Sequence, residues 1–306
     1  MTMYGTEKMD DYNPGLSSIR MEIQKIDYLP PMPAIAQEIL TAANDKSSSL
    51  EDIAAIIKKD PGLAARVIGV ANSAYFAYPR KIDTLEDAII NILGLDLVIG
   101  FALSIAMSGV FDPQKCPGFD INRYWCSALL TAELCKGMSV HVDSKQNLKG
   151  EQLHLYGLLH NIGVLVLSDR FPNIMSELFT HAARNKEKHL IEYEKETIDF
   201  NHHDAGGWLA RKWHLPDTII HIIQHLHETD YRGEDEYAVH LVGICSRIAR
   251  QWLLETNYSP DQELKHLKTL GLDNRKIQKY LQKTRHKLDE IRQMVADMTG
   301  NRNGSN

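Results

Sequence analysis

Apolar residues recur at helical spacing along most of the chain. Ile53, Ile56 and Ile57 line one face of a helix that Ser48-x-x-Glu51 opens as a capping box. Asp60 followed by Pro61 reads as an N-cap with proline at the first helical position, and Leu63, Val67 and Val70 follow on one side. Thr84-x-x-Asp87 opens another helix, which carries Ile89, Ile90 and Leu93 and places Gly94 as a left-handed C-cap. The longest apolar stretch, Leu97 to Phe111, is interrupted by Gly100, Ser104, Ser108 and Gly109. It is too short to cross a bilayer and predicts a buried helix. No pair of alternating strands joined by a hairpin turn is visible, so the pattern predicts an all-α fold.

Two breaks organise the helices. The Pro/Gly-rich run Asp112-Pro-Gln-Lys-Cys-Pro-Gly-Phe119 divides an N-terminal helical lobe (26–112) from a second helical lobe (113–258). Asn257-Tyr-Ser-Pro-Asp261 sets off a C-terminal helical extension (259–306), and residues 1–25 form a polar tail. Within the extension, Ile277, Leu281, Thr284, Leu288, Ile291, Val295 and Met298 repeat at alternating spacings of four and three. This seam predicts one long helix from about Asp273 to Thr299 that buries Leu281, Leu288, Ile291 and Val295. Such a seam packs on the body of its own chain or pairs with a second copy, so the expected state is a monomer or a homodimer through this helix.

Composition narrows the class. In 306 residues, 43% are hydrophobic and 24% charged, as in ordinary soluble proteins. Met1 to Asn13 lacks the apolar core of a secretory signal, and the four cysteines form no C-x-x-C pair. Reduced thiols and a cytoplasmic location are expected. The net charge of −6 disfavours generic nucleic-acid binding. Between Leu264 and Lys287, however, eight basic residues face one acid, a local charge of +7 that leaves −13 for the rest. Lys276, Lys279, Lys283 and Lys287 are the candidate surface for an acidic protein partner, with a merely solvated helix face as the alternative.

The chemistry centres on His160-Asn161, within Gly157-Leu-Leu-His-Asn-Ile-Gly163. This segment resembles the signature of the HD metal-dependent phosphohydrolases with the Asp replaced. Leu29-Pro-Pro-Met-Pro33, Asp60-Pro-Gly-Leu-Ala-Ala-Arg-Val-Ile-Gly-Val-Ala-Asn-Ser73, Asp87-Ala-Ile-Ile-Asn-Ile-Leu-Gly94 and Trp213-His-Leu-Pro216 resemble, in order and spacing, the HDOD family, a degenerate branch of the HD proteins. The resemblance covers about Ile26 to Tyr231. It implies an N-terminal helical bundle packed on an HD-like bundle, in a bacterial signal-transduction protein without hydrolase activity.

The family's metal positions carry over residue by residue. The first His corresponds to Cys126, the pair to His160 and Asn161, and the last Asp to Ser246, with Cys245 as the alternative. Asn is neutral, so its carbonyl is a far weaker metal ligand than a carboxylate. One ligand of four survives, which implies no metal, no cofactor and no catalysis. The expected function is a regulatory module acting through a protein partner or a small ligand. The alternative is a metal-dependent phosphohydrolase or cyclic-dinucleotide phosphodiesterase whose site is rebuilt from His160, His203, His225 and His227. A second alternative is a nucleic-acid-binding adaptor. The spacing His221-Ile-Ile-Gln-His225 lacks the Glu of a metalloprotease, and neither a phosphate-cradling glycine loop nor a G-x-S-x-G elbow is present. Asn72 and Ser73 are expected to cap backbone groups at a helix end.

Overall fold

The computed structural model describes residues 29–141, 148–184, 189–254 and 261–300, which are helical with no strand among them. The tail over 1–25 and most of the break at 257–261 lie outside the described residues. The N-terminal lobe comprises α1 (Ala34–Asn44), α2 (Leu50–Lys58), α3 (Pro61–Ala71), a 3-10 turn (Ala74–Phe76), the short α4 (Leu85–Ala88) and α5 (Leu95–Ser108). Local chemistry sets these ends. Asp60 Oδ1 accepts from Leu63 N at 2.9 Å, and Thr84 Oγ1 accepts from Asp87 N at 3.1 Å. The α2 capping box is formed by Ser49 and Asp52, one residue beyond the expected Ser48 and Glu51, because Ser49 is the residue whose extended backbone aims its hydroxyl at the third amide.

After α4 the chain widens into a π turn over Ile89–Leu93. The extra residue per turn rotates Ile90 outward, where it is 68% exposed, while Ile89 and Leu93 stay in the core. Ile90 therefore leaves the apolar face that the spacing predicted for it. Gly94 has a positive φ (77°) but an extended ψ (163°), so it passes the chain directly into α5 rather than closing a left-handed cap. Asn72 closes α3 as expected: its amide bonds both the N–H and the C=O of Ile82, at 2.8 and 2.7 Å.

The second lobe comprises α6 (Ile121–Ser139), α7 (Gly150–Leu159), α8 (Ile162–Arg170), α9 (Pro172–Arg184), α10 (Leu190–Ile198), α11 (His202–Lys212), α12 (Asp217–His225) and α13 (Glu236–Leu253). Helix α6 is its axis, packed on α7 and α13, while α8 crosses α11. Two glycines permit these crossings. A methyl group on Gly157 would lie 2.5 Å from Ala132 Cα, and one on Gly163 would collide with the His202 carbonyl. Backbones thus approach where α7 crosses α6 and where α8 crosses α11 beside His202. Two distant motifs also join: Trp213 Nε1 donates to Pro30 O at 2.9 Å, and Lys212 Nζ to Leu29 O at 2.7 Å.

The extension folds as α14 (Asp261–Thr269), α15 (Asn274–Arg285) and α16 (Leu288–Thr299). The single long helix expected from the seam is instead broken at His286–Lys287. The break lets the two halves lie on different parts of the body. α15 lies on α6, with Tyr280 Oη donating to Glu133 O at 2.6 Å, whereas α16 spans α6 and α3. Asp289 and Glu290 sit in the first turn of α16, where acids complement the new helix N-terminus. Ile277, Leu281, Ile291, Val295 and Met298 are buried on the chain's own body, and Leu288 is half-buried. The seam joins the lobes of one molecule. Among the described residues no helix is long and apolar enough to cross a membrane.

Candidate functional site

Residues of α6, α8, α9, α10, α11 and α13, with the turn after α12, line a pocket of about 490 Å³. Residues four apart on one helix share a face. Arg123 and Ser127 therefore enter from α6, and Ser246 and Arg250 from α13. Asp120 caps α6, accepting from the amides of Asn122 and Arg123 at 2.9 and 3.1 Å, and so anchors the turn that carries Arg123.

His160 lies behind the lining residues Asn161 and Ser246 and is fully buried. Its Nδ1 lies 2.6 Å from Gly157 O, an acceptor, so Nδ1 carries the proton. Nε2 is then the bare nitrogen, and the Ser246 hydroxyl, 3.1 Å away, donates to it. Burial pushes His160 down to about 4, against the opposing bond to Gly157, so the ring is neutral at physiological pH. Beside it, Asn161 Nδ2 reaches Ser127 Oγ at 3.4 Å.

Four further histidines gather here. His202 is held by buried Glu194, whose Oε2 accepts from both the backbone N and Nδ1 at 3.0 and 2.7 Å. His203 stacks on His227 with ring centroids 5.0 Å apart and planes 5° apart. His203 Nδ1 and His227 Nδ1 are buried without a hydrogen-bond partner. Burial, then repulsion from His202 and His227, holds His203 well below its usual range. Burial, then the charge of Lys195, also lowers His227. His189 accepts from Ile191 N through Nδ1 at 3.3 Å, and burial followed by the field of Arg250 pushes it down to about 3.

Several expectations change. Ser127, one residue beyond Cys126, is the α6 side chain that lines the pocket. Cys126 belongs to the core, where burial raises its thiol to about 11. Adjacent helical residues point about 100° apart, so the one-residue difference decides which of them meets Asn161. Ser246 stands beside His160, whereas Cys245 is buried with its Sγ 3.6 Å from Met138 Sδ. His225 does not join His160, His203 and His227: it stacks on Tyr231 at 4.5 Å and pairs with Glu228 at 3.0 Å, because the last turn of α12 faces it the other way. Arg123, His189, His202 and Arg250 line the pocket and were not singled out by sequence; the Arg123/Ser127 and Ser246/Arg250 spacings were the available signal. On the extension, Lys276, Lys279 and Lys283 are exposed, but Lys287 is half-buried, its ammonium 4.4 Å from the centre of the Tyr75 ring.

The donor set does not fit the metal of an HD hydrolase. Asn161 and Ser127 offer neutral oxygens, and the single lone pair of His160 Nε2 already accepts from Ser246. Among the described residues, no three His, Cys, Asp or Glu side chains converge as a metal ion requires.

A model of the HDOD domain matches residues 29–229, within a few residues of the span of the motif resemblance. An uncharacterized protein of Treponema pallidum (strain Nichols) is 26% identical over 217 residues; the match covers 69% of this chain but 40% of that longer relative. Three solved structures share the fold. One from Marinobacter aquaeolei VT8, provisionally described as a signal transduction protein, has a TM-score of 0.77 at 23% identity over 93% of this chain and 66% of its own. An HDOD domain protein of unknown function from Geobacter sulfurreducens scores 0.71 at 23% identity, covering 92% and 97%. A protein of Shewanella amazonensis SB2B, provisionally named a phosphohydrolase, scores 0.72 at 22% identity, covering 92% and 100%.

Proposed function

Because the chain belongs to the HDOD family, we propose that it is a non-catalytic signalling module that binds a small ligand in the histidine-lined pocket and passes the signal to a protein partner. One observation carries the reading: the Ser246 hydroxyl occupies the His160 lone pair that an HD metal would need. Hydrolysis of a phosphoester in such a fold depends on a metal-activated water, and among the described residues no carboxylate joins His160 in a group that could hold the ion. The pocket volume lies within the range of small-molecule sites, and its walls combine apolar and polar groups in the manner of a binding site. The provisional signalling description of the Marinobacter relative agrees with this reading. The exposed lysines Lys276, Lys279 and Lys283 suit an acidic partner surface.

The test is elemental analysis of protein purified without added metal, paired with assays of cyclic dinucleotides and generic phosphodiesters. The reading expects sub-stoichiometric metal and no turnover. One tightly held Mn, Fe or Zn per chain with turnover would favour the rebuilt-site phosphohydrolase.

A further inference from the structure

We infer that the pocket takes an organic phosphate, with the phosphate seated between Arg123 and Arg250 and an apolar or aromatic body lying against Phe119, Phe179 and Leu253. This inference rests on the binding role proposed above and names the chemistry of its ligand.

Three observations carry it. First, Arg123 and Arg250 both line the cavity, and neither guanidinium makes a hydrogen bond or ion pair with another described side chain. The neighbouring Arg247 differs: its guanidinium is bidentate to Glu263, at 2.8 and 3.0 Å. Two cations left unpaired at one pocket, within each other's field, match a doubly charged head group that accepts several N–H bonds at once. Second, the carboxylates on the same lining bind backbone amides rather than either guanidinium, and the charge of Glu192 offsets the repulsion at Arg250 only in part. Asp120 accepts two helix amides, and Glu192 accepts from His189 N at 3.1 Å. Third, His203 is 2% exposed and lines the cavity with its Nδ1 unpartnered. That nitrogen is shielded in the unliganded wall, so an incoming polar group gains it as a partner by turning the ring. Beside the arginines the lining turns apolar, and Phe119 packs on Phe179 with centroids 5.9 Å apart and ring planes tilted by 45°. At about 490 Å³, the space is that of a compact small molecule rather than a peptide or a polymer.

Burial, then the charge of Arg123, lowers Arg250, as expected for a cation held beside another without full compensation. Replacing Arg250 should therefore relieve repulsion in the unliganded protein.

The experiment is calorimetric titration of the full chain in buffer with EDTA, using AMP and octyl phosphate, with adenosine, octanol and inorganic phosphate as controls. At least one of the two phosphates is expected to bind about tenfold or more tightly than its phosphate-free counterpart and than inorganic phosphate. Its affinity should fall as salt is raised, and R123Q/R250Q should weaken it about tenfold or more. Arg250→Gln alone should melt, without ligand, at least as high as the wild type. Absence of binding by both phosphates, indifference to salt, retention of affinity in the double variant, or a fall of several degrees in the unliganded R250Q protein would overturn the inference. Because EDTA removes metal, failure here leaves the non-catalytic reading standing. Metal-dependent turnover of a bound phosphate would instead sink that reading and leave the binding result intact.

Discussion

The Ser246 hydroxyl and His160 Nε2 lie 3.1 Å apart, with the serine as donor. The direction follows from the other ring nitrogen, which gives its proton to Gly157 O at 2.6 Å. The pair satisfies a fully buried imidazole without an ion. Ser246→Ala should therefore leave a buried acceptor unpaired and cost about 1–3 kcal/mol, read as a loss of stability in urea with unchanged slope. Unaltered stability would mean that solvent in the pocket replaces the serine.

Stability should also depend on pH. His160 has a folded pKa of about 4, against 6.5 for the free residue. A base lowered by folding binds more protons when unfolded, so its contribution is complete above pH 6.5 and is lost as pH falls toward 4. Between pH 7.5 and 5 the loss from His160 alone is about 2 kcal/mol. His189, His203 and His227, all lowered, act in the same direction. Denaturant melts at the two pH values check this, and His160→Gln should flatten the difference.

Asn161 lines the pocket and is half-buried, so a charge there keeps access to solvent. Asn161→Asp should shift stability by less than about 1 kcal/mol and should create no hydrolase, because Ser127 and Ser246 still offer no carboxylate. A larger loss in thermal melts would show a dry, closed pocket. Metal-dependent turnover in this variant would show that one carboxylate suffices.

The extension joins both lobes. Ile291 is fully buried where α16 meets α6 and α3, so Ile291→Ala should cost about 2–5 kcal/mol. Sedimentation should show the same mass before and after the change. A halved mass with little loss of stability would instead place the seam between two copies.

Much of the fold is legible because its signals are local. Asp60 and Thr84 announce their helices through side chains that reach amides three residues on. The seam from Ile277 to Met298 is legible for the same reason, but its break at His286–Lys287 carries no proline or glycine. Only the tertiary contacts reveal the break, with α15 on α6, α16 on α6 and α3, and Lys287 over the Tyr75 ring between them. The site is less legible. His160 and Asn161 stand out in sequence, yet the choice of Ser127 over Cys126 is a matter of helix rotation, which spacing leaves open by a residue. His189, His202, Arg123 and Arg250 come from four separate helix ends, and the crossing of α8 over α11 at Gly163 brings His202 to the pocket. The false partner His225 has the right sequence distance and the wrong face.

The most direct test of the central claim is phosphodiester turnover by the wild-type protein supplied separately with Mn, Fe, Mg and Ni, with His160→Ala alongside. The account predicts no metal-dependent turnover of either cyclic dinucleotides or generic phosphodiesters, and identical background for the two proteins. Metal-dependent turnover by the wild type that disappears in His160→Ala would contradict it.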